Sequence, residues 1–158
     1  APHTSNWDLF FMITVALRMR VKIYWMGKES IFKFPFKGLM MWMGGIPVDR
    51  SKSQDMVKAI TEIFDANSEL TITVPPEGTR SQTVYWKTGF YHMANQSKVP
   101  ICLGFLDYAK REGGLGPLVH PTGDIEKDMI QIKEFYSSIT GKYPDRFQTE
   151  VPKEEDPK

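Results

Sequence analysis

The stretch IPVDRSKSQDMVKAITEIFDANSELTITVPP, Ile46 to Pro76, carries the fold prediction because it predicts a strand, a helix and a strand in turn. Ile46–Val48 is short and apolar, as a buried strand is. From Ser53 to Ala66 apolar residues recur at helical spacing, with charged residues between them. Leu70–Val74 alternates aliphatic residues with threonine, which is typical of a strand, and Pro75-Pro76 ends it. This order is the repeating unit of α/β folds.

The rest of the chain continues the alternation. Helices are predicted for Asp8–Met19, Leu39–Met43, Gly89–Gln96 and from Thr122 or Asp124 to about Ile139, and strands for Val21–Met26, Ile101–Tyr108 and Leu115–Val119. Glu112-Gly113-Gly114 predicts the turn between the last two strands. These patterns predict an α/β sandwich of two or three layers, with helices flanking a mainly parallel or mixed sheet. We expect residues 1–142 to form one domain and residues 143–158 a polar, partly disordered tail.

Composition limits the partners and the compartment. The single cysteine, Cys102, excludes an internal disulfide, and its apolar neighbours predict a buried, inert thiol. A net charge of +1 gives no general support for nucleic-acid binding. No apolar run reaches the ~18 residues that a membrane helix needs. The nearly continuous apolar residues of the first helix predict burial on most of its sides.

A histidine and an aspartate lie five positions apart in His3-Thr4-Ser5-Asn6-Trp7-Asp8. Small polar residues between them allow the chain to fold back, so that the carboxylate meets the imidazole. The aspartate then holds one ring nitrogen as N–H and leaves the other free to accept a proton. A surface histidine beside a helix-capping aspartate has the same spacing, so other motifs must separate these alternatives.

Three further motifs follow in order, and together the four resemble those of the glycerophosphate and lysophosphatidate acyltransferase family (1-acyl-glycerol-3-phosphate acyltransferase-like). That family carries a His-x-x-x-x-Asp box, a Gly…Arg box, a Glu-Gly-Thr-Arg box and a Val-Pro-Ile box. Here they are His3–Asp8, Gly44–Arg50, Glu77–Arg80 and Val99–Ile101. The family has a strand before its first box, so we expect residues of the natural protein, with a strand or a membrane anchor, before Ala1.

The resemblance implies roles for the motif residues. His3 is the expected general base and Asp8 its orienting partner. A guanidinium or ammonium group suits a phosphate, so the expected phosphate ligands are Arg50, Arg80 and Lys87. Glu77 either positions the glycerol hydroxyls and Arg80 or caps its own loop. Gly78 lets the backbone approach the ligand, and Thr79 offers a donor.

The implied reaction moves a fatty acyl group from an acyl thioester to the free hydroxyl of a lysophospholipid such as 1-acylglycerol 3-phosphate. We expect acyl-CoA or acyl carrier protein as co-substrate, no other cofactor, no metal and no nucleic acid. Another lysolipid acceptor such as a lyso-ornithine lipid, a non-catalytic lipid-binding module and a thioester hydrolase are the alternatives. Lysines interleaved with Phe32, Phe34, Phe36 and Trp42 suit peripheral docking on the cytoplasmic face of a membrane, although a solvated charged face fits them equally.

Overall fold

The computed structural model describes residues 1–48, 53–67, 69–78 and 85–147, and within the third helix it places side chains from Val57 onward. The described elements are α1 (Trp7–Met19), β1 (Tyr24–Lys28), α2 (Lys37–Trp42), β2 (Gly45–Val48), α3 (Ser53–Asp65), β3 (Ile72–Thr73), α4 (Gly89–Gln96), β4 (Ile101–Asp107), β5 (Glu112–Val119) and α5 (Ile125–Ser137), with short 3-10 turns at Glu29–Ile31 and Pro144–Arg146. Helices, a parallel sheet and a small antiparallel sheet confirm the α/β class.

The chain divides into two compact units, and the first comprises Ala16–Val74. Its sheet has the order β2-β1-β3 with both pairings parallel, as the strand–helix–strand pattern predicts. The Trp25 ring stacks on buried Phe32 with centroids 5.8 Å apart, and its indole N–H donates to the Met43 carbonyl. Gly44 has φ +84°, and a Cβ there would lie 2.4 Å from the Ile23 carbonyl oxygen, so this turn into β2 requires glycine.

The second unit comprises Ala1–Val15 and Pro75–Lys158, and we call it the site unit. β4 and β5 pair antiparallel in it, from Ile101 opposite Val119 to Asp107 opposite Glu112. α5 begins after Asp124, whose carboxylate accepts the Lys127 N–H as an N-cap. The apolar core of this unit joins the two strands to α5 and consists of Trp86, Leu103, Val119, Met129, Ile132, Tyr136 and Ile139.

Two predictions about burial are wrong. The prediction that α1 is buried on most of its sides fails, because several of its large apolar side chains are exposed: Trp7, Phe10, Phe11, Leu17 and Met19. Cys102 is also exposed, although it lies in the apolar strand β4. In both segments apolar residues are nearly continuous, so the sequence contains no periodicity that distinguishes the buried side from the exposed side.

The turn predicted at Glu112-Gly113-Gly114 is also wrong, because these residues begin β5 and the reversal lies just before them. Gly113 is opposite Leu106, and a Cβ there would lie 2.7 Å from the Leu106 side chain. Glycine therefore marks a close approach of packed side chains within the strand. β1 begins at Tyr24, three residues later than predicted.

Among the described helices, none combines the length and the apolar character needed to cross a bilayer. The boundary predicted at residue 142 stays a prediction.

Candidate active site

The loop before α1 is organised by the carboxylate of Asp8. Its Oδ2 accepts the main-chain N–H groups of Thr4 and Ser5, each at 2.7 Å. This curls the chain back on itself, as the spacing from His3 to Asp8 predicts. The His3 imidazole Nδ1 consequently lies 3.3 Å from Asp8 Oδ2. The His3 side chain is 26% exposed and that of Asp8 only 5%, so the carboxylate is enclosed while the ring reaches solvent.

The second carboxylate oxygen of Asp8 accepts the phenolic O–H of Tyr108 at 2.6 Å. Burial by itself raises the pKa of Asp8, but hydrogen bonds from His3, Tyr108 and Ser5 outweigh it and hold the pKa below its ordinary value. The aspartate is therefore ionised at neutral pH, as a partner for an imidazolium must be. Tyr108 follows β4 and belongs to none of the four motifs, and no pattern in the sequence singles it out.

Glu77 connects the loop of the Glu-Gly-Thr-Arg motif to the histidine. Its side chain is fully buried, with the residue 1% exposed, and Oε1 accepts the main-chain N–H of His3 at 2.8 Å. Its Oε2 is buried without a hydrogen-bond partner among the described residues. The two motifs, 74 positions apart, therefore meet through a direct hydrogen bond. The sequence offered the glycerol hydroxyls, Arg80 or its own loop as partners of Glu77, and this main-chain contact adds one that was not anticipated.

Gly78 and Lys87 lie together beside Glu77. Gly78 has φ +64°, and its N–H donates to the Pro75 carbonyl at 3.1 Å. A Cβ at Gly78 would lie 2.9 Å from the Lys87 side chain, so the glycine lets the lysine pass close to the loop. Lys87 is exposed, and its N–H donates to the Pro76 carbonyl. Lys87 thus places a cationic side chain next to the Glu77 loop.

Three predicted site residues, Arg50, Thr79 and Arg80, lie outside the described residues. Their predicted roles in phosphate binding stay predictions.

Further along the chain, residues 140–146 pack against the histidine loop. The Tyr143 N–H donates to the Thr4 hydroxyl oxygen at 3.3 Å, and Thr4 is 1% exposed. A Cβ at Gly141 would lie 3.0 Å from Pro2, so the two segments are in close contact. A pocket of ≈ 340 Å³ opens beside this contact and is lined by Thr4, Ser5, Asn6, Trp7, Tyr143 and Arg146.

This arrangement is suited to general-base chemistry. A carboxylate beside Nδ1 favours the tautomer that carries its proton there, which leaves Nε2 with a lone pair. The 3.3 Å separation is at the long end for a hydrogen bond. An ionised Asp8 also stabilises the imidazolium that forms when His3 takes a proton.

Comparison with known proteins identifies the family. The family model described as Acyltransferase matches residues 1–102. The chain is similar to proteins named 1-acyl-sn-glycerol-3-phosphate acyltransferase: it is 30% identical to that of Haemophilus influenzae over 63% of this chain and 42% of the relative, and 31% identical to that of Escherichia coli K12 over 64% and 42%. The protein of that name from Saccharomyces cerevisiae is 34% identical over 47% of this chain and 27% of its own length.

No solved structure matches the chain. The chain spans less than half the length of these curated relatives. The family model nevertheless covers well over half of its 158 residues, including the His3–Asp8 loop and Glu77. By this match and by the order of its four motifs, the chain belongs to the acyltransferase family.

Proposed function

We propose that the protein is an O-acyltransferase that moves a fatty acyl group from an acyl thioester to the free hydroxyl of a lysophospholipid such as 1-acylglycerol 3-phosphate. The observation that carries this proposal is the placement of the His3 imidazole, 26% exposed, against the buried Asp8 carboxylate. The names of the curated relatives support the choice of acceptor.

An alcohol is too weak an acid to attack a thioester unaided, so a base must remove its proton as the new bond forms. In the proposed step the acceptor oxygen attacks the thioester carbonyl carbon while Nε2 of His3 takes the hydroxyl proton. Asp8 stabilises the resulting imidazolium. The carbon–sulfur bond then breaks, and the leaving thiolate takes the proton from His3. The products are the diacylated lipid and a free thiol, and no acyl-enzyme or metal is needed.

The proposed acceptor carries a phosphate, and cations near the base would hold it. Lys87 lies next to the Glu77 loop, which itself contacts His3. We assign Arg50 and Arg80 the same role from the motifs, with Thr79 as a further donor. Acyl-CoA and acyl carrier protein are both suitable donors because each supplies the same thioester.

The test is turnover of a radiolabelled acyl thioester by the 158-residue chain, with 1-acylglycerol 3-phosphate, a lyso-ornithine lipid or no acceptor. His3→Ala should lower turnover by about 10²–10⁴-fold, because it removes the base. His92→Ala is the matched control, since His92 lies exposed on α4, and it should keep full activity. Unchanged turnover in His3→Ala would contradict the proposal.

The acceptor panel separates the alternatives. Product formed only with the lyso-ornithine lipid would mean that this lipid, and not 1-acylglycerol 3-phosphate, is the acceptor. Thiol release without acylated product would indicate a hydrolase. Lipid binding without any turnover, also after the residues expected before Ala1 are restored, would indicate a non-catalytic module.

We also propose that the protein works at the cytoplasmic face of a membrane, docked through one surface of the Ala16–Val74 unit. That surface, the aromatic–lysine surface, exposes 96% of Phe34, 60% of Phe36 and 83% of Trp42, beside the exposed Lys33 and Lys37. Aromatic rings insert at the lipid headgroup level, and each nearby lysine attracts an anionic bilayer by about 1 kcal/mol. Phe32 is the exception among the predicted residues, because it is buried against Trp25.

Cosedimentation with vesicles tests this docking. With phosphatidylcholine vesicles containing about 30% phosphatidylglycerol, the double variant Phe34→Ser/Trp42→Ser should bind about tenfold more weakly than the unaltered chain, because two interfacial anchors are lost. Ile130→Ser is the control, since Ile130 is 65% exposed on α5 in the other unit. Equal weakening in both variants would contradict the assigned surface.

A further inference from the structure

Asp8 is held by a residue from outside the family motifs. Tyr108 donates its phenolic O–H to Asp8 Oδ1 at 2.6 Å, across 100 positions of sequence, and lies beyond the residues 1–102 that the family model matches. Its own position is fixed from two sides. Its N–H donates to the Thr140 carbonyl at 2.8 Å, and its ring meets that of Phe11 edge to face at 6.0 Å. Tyr108 is therefore held as a donor to Asp8 through contacts of both its main chain and its ring.

The partners of Asp8 divide between its two oxygens. Oδ2 takes the N–H groups of Thr4 and Ser5 and faces His3, whereas Tyr108 is the partner described for Oδ1. A short hydrogen bond to Oδ1 fixes the rotation of the carboxylate about its carbon–carbon bond. It also draws negative charge away from the oxygen that faces the imidazole.

We propose that Tyr108 is a positioning residue that sets both the orientation of Asp8 and the strength with which Asp8 holds a proton on His3. This inference rests on the proposed function only where it predicts an effect on turnover, because the interaction of Asp8 with His3 is measurable without turnover. The direction follows from charge. Without the Tyr108 hydroxyl, Asp8 concentrates its charge toward His3, so the imidazolium becomes harder to deprotonate.

The titratable groups described around the histidine loop include Glu77, Tyr143, the α-amino group of Ala1 and Arg146, which lines the pocket beside Thr4 and Ser5. Glu77 lies against the His3 main chain, and Tyr143 interacts electrostatically with Tyr108. The α-amino group of Ala1 lies near Glu77 and Asp8. Burial and the Asp8 carboxylate raise the pKa of Tyr108, so the hydroxyl keeps its proton and remains a donor throughout the range in which histidine titrates.

The structure contains a matched control. Tyr91 donates to the Asp128 carboxylate at 2.8 Å, in the same unit and with comparable burial of the aspartate, but Thr122 takes the place that His3 has at Asp8. Tyr91→Phe therefore removes a tyrosine hydroxyl from a buried carboxylate without touching the histidine loop; that hydroxyl also accepts the Gly123 N–H at 3.1 Å, so the loss at Asp128 is at least as large.

The experiment follows the imidazole ¹⁵N signals of the chain from pH 5 to pH 9 by NMR. The chain has only three histidines, so His3→Gln assigns the His3 signals by their loss. In Tyr108→Phe the His3 titration curve should move to higher pH by about 0.3–1 unit, as expected for one hydrogen bond to a charged group. In Tyr91→Phe it should stay within 0.1 unit of the wild-type curve, about the error of such a titration.

A second replacement keeps the inference testable if Tyr108→Phe unfolds. 3-Fluorotyrosine at position 108 keeps the ring and strengthens the donor, so it should move the His3 curve to lower pH. In the acyltransfer assay Tyr108→Phe should lower kcat about tenfold with little change in KM, since Tyr108 does not touch substrate.

The outcomes separate the two proposals. A His3 curve that is unmoved by both changes at position 108, or moved equally by Tyr91→Phe, overturns the role of Tyr108. A shifted curve in a protein that transfers no acyl group supports the role of Tyr108 and removes the proposed function instead.

Discussion

Two aspartates of the site unit are held in similar ways, and the difference that bears on chemistry is one partner. Asp8 and Asp128 are 4% and 2% exposed, and each accepts a tyrosine hydroxyl. Asp8 accepts the main-chain N–H groups of Thr4 and Ser5, and Asp128 accepts that of Thr122. At Asp128 the set is completed by the Thr122 hydroxyl at 3.0 Å. At Asp8 the corresponding neighbour is the His3 imidazole, at 3.3 Å.

The pKa values do not distinguish the two aspartates. Burial raises the pKa of Asp128, but hydrogen bonds from the Thr122 N–H, Tyr91 and the Thr122 hydroxyl outweigh it and leave the pKa lowered, as at Asp8. A buried, ionised aspartate therefore does not by itself indicate an active site. The distinguishing feature is an imidazole that lies against the carboxylate and reaches solvent. Among the described residues Asp8 has such a partner, whereas Asp128 has the Thr122 hydroxyl in its place.

The largest expected difference between the two sites is in turnover. Asp8→Asn should lower the rate of acyl transfer by about 10²–10⁴-fold, because a neutral amide cannot stabilise the His3 imidazolium. Asp128→Asn should leave turnover at 25 °C unchanged while costing about 2 kcal/mol of stability, since it weakens hydrogen bonds to a charged group. Initial rates and thermal unfolding of both variants give the comparison.

Stability serves as the control, because Asp8→Asn also loses charged hydrogen bonds and should unfold at a similarly reduced temperature. If Asp128→Asn and Asp8→Asn lost equal turnover at the same folded fraction, the activity loss would come from destabilisation of the whole unit. That result would contradict a specific role of Asp8 in turnover.

Local pattern predicted the parts of this molecule that are determined locally. The parallel pairing around β1 follows from the strand–helix–strand order, and the His3–Asp8 contact follows from a spacing of five residues. Both depend on residues that are close in sequence, and helical periodicity, strand alternation and turn residues predict structure at that range.

The missed features depend on contacts across the chain. Tyr108 reaches Asp8 only because β4 ends beside the histidine loop, which is a matter of strand position rather than residue pattern. The contact of Glu77 with His3 is of the same kind. The conformational freedom of Gly113 predicted a turn. In the structure Gly113 lies within β5, where its lack of a side chain leaves room for the side chain of Leu106. Long-range packing determines these contacts and the role of this glycine, and packing cannot be inferred from the local pattern of a single sequence.

A smaller effect tests the similarity of the two aspartates rather than their difference. Both pKa values lie below the ordinary 3.8, so on acidification the unfolded chain binds protons before the folded one. Their stabilising contribution is therefore complete above that value and is lost as the pH falls through the folded-state pKa values. We expect the free energy of unfolding to fall between pH 5 and pH 2, which denaturant titrations at each pH would measure.

Asp8→Asn and Asp128→Asn should each make that fall shallower, by about 1 kcal/mol over the range, because the amide does not titrate. Asp145→Asn is the matched control, since Asp145 is exposed, and it should leave the slope as it is. The two replacements should affect acid stability equally and turnover unequally. That result would show that the hydrogen bonds to each aspartate stabilise its loop, whereas the contact of Asp8 with His3 is the one needed for the proposed reaction. A shallower slope in Asp8→Asn alone would instead mean that folding does not lower the pKa of Asp128, and the two sites would then not be held alike.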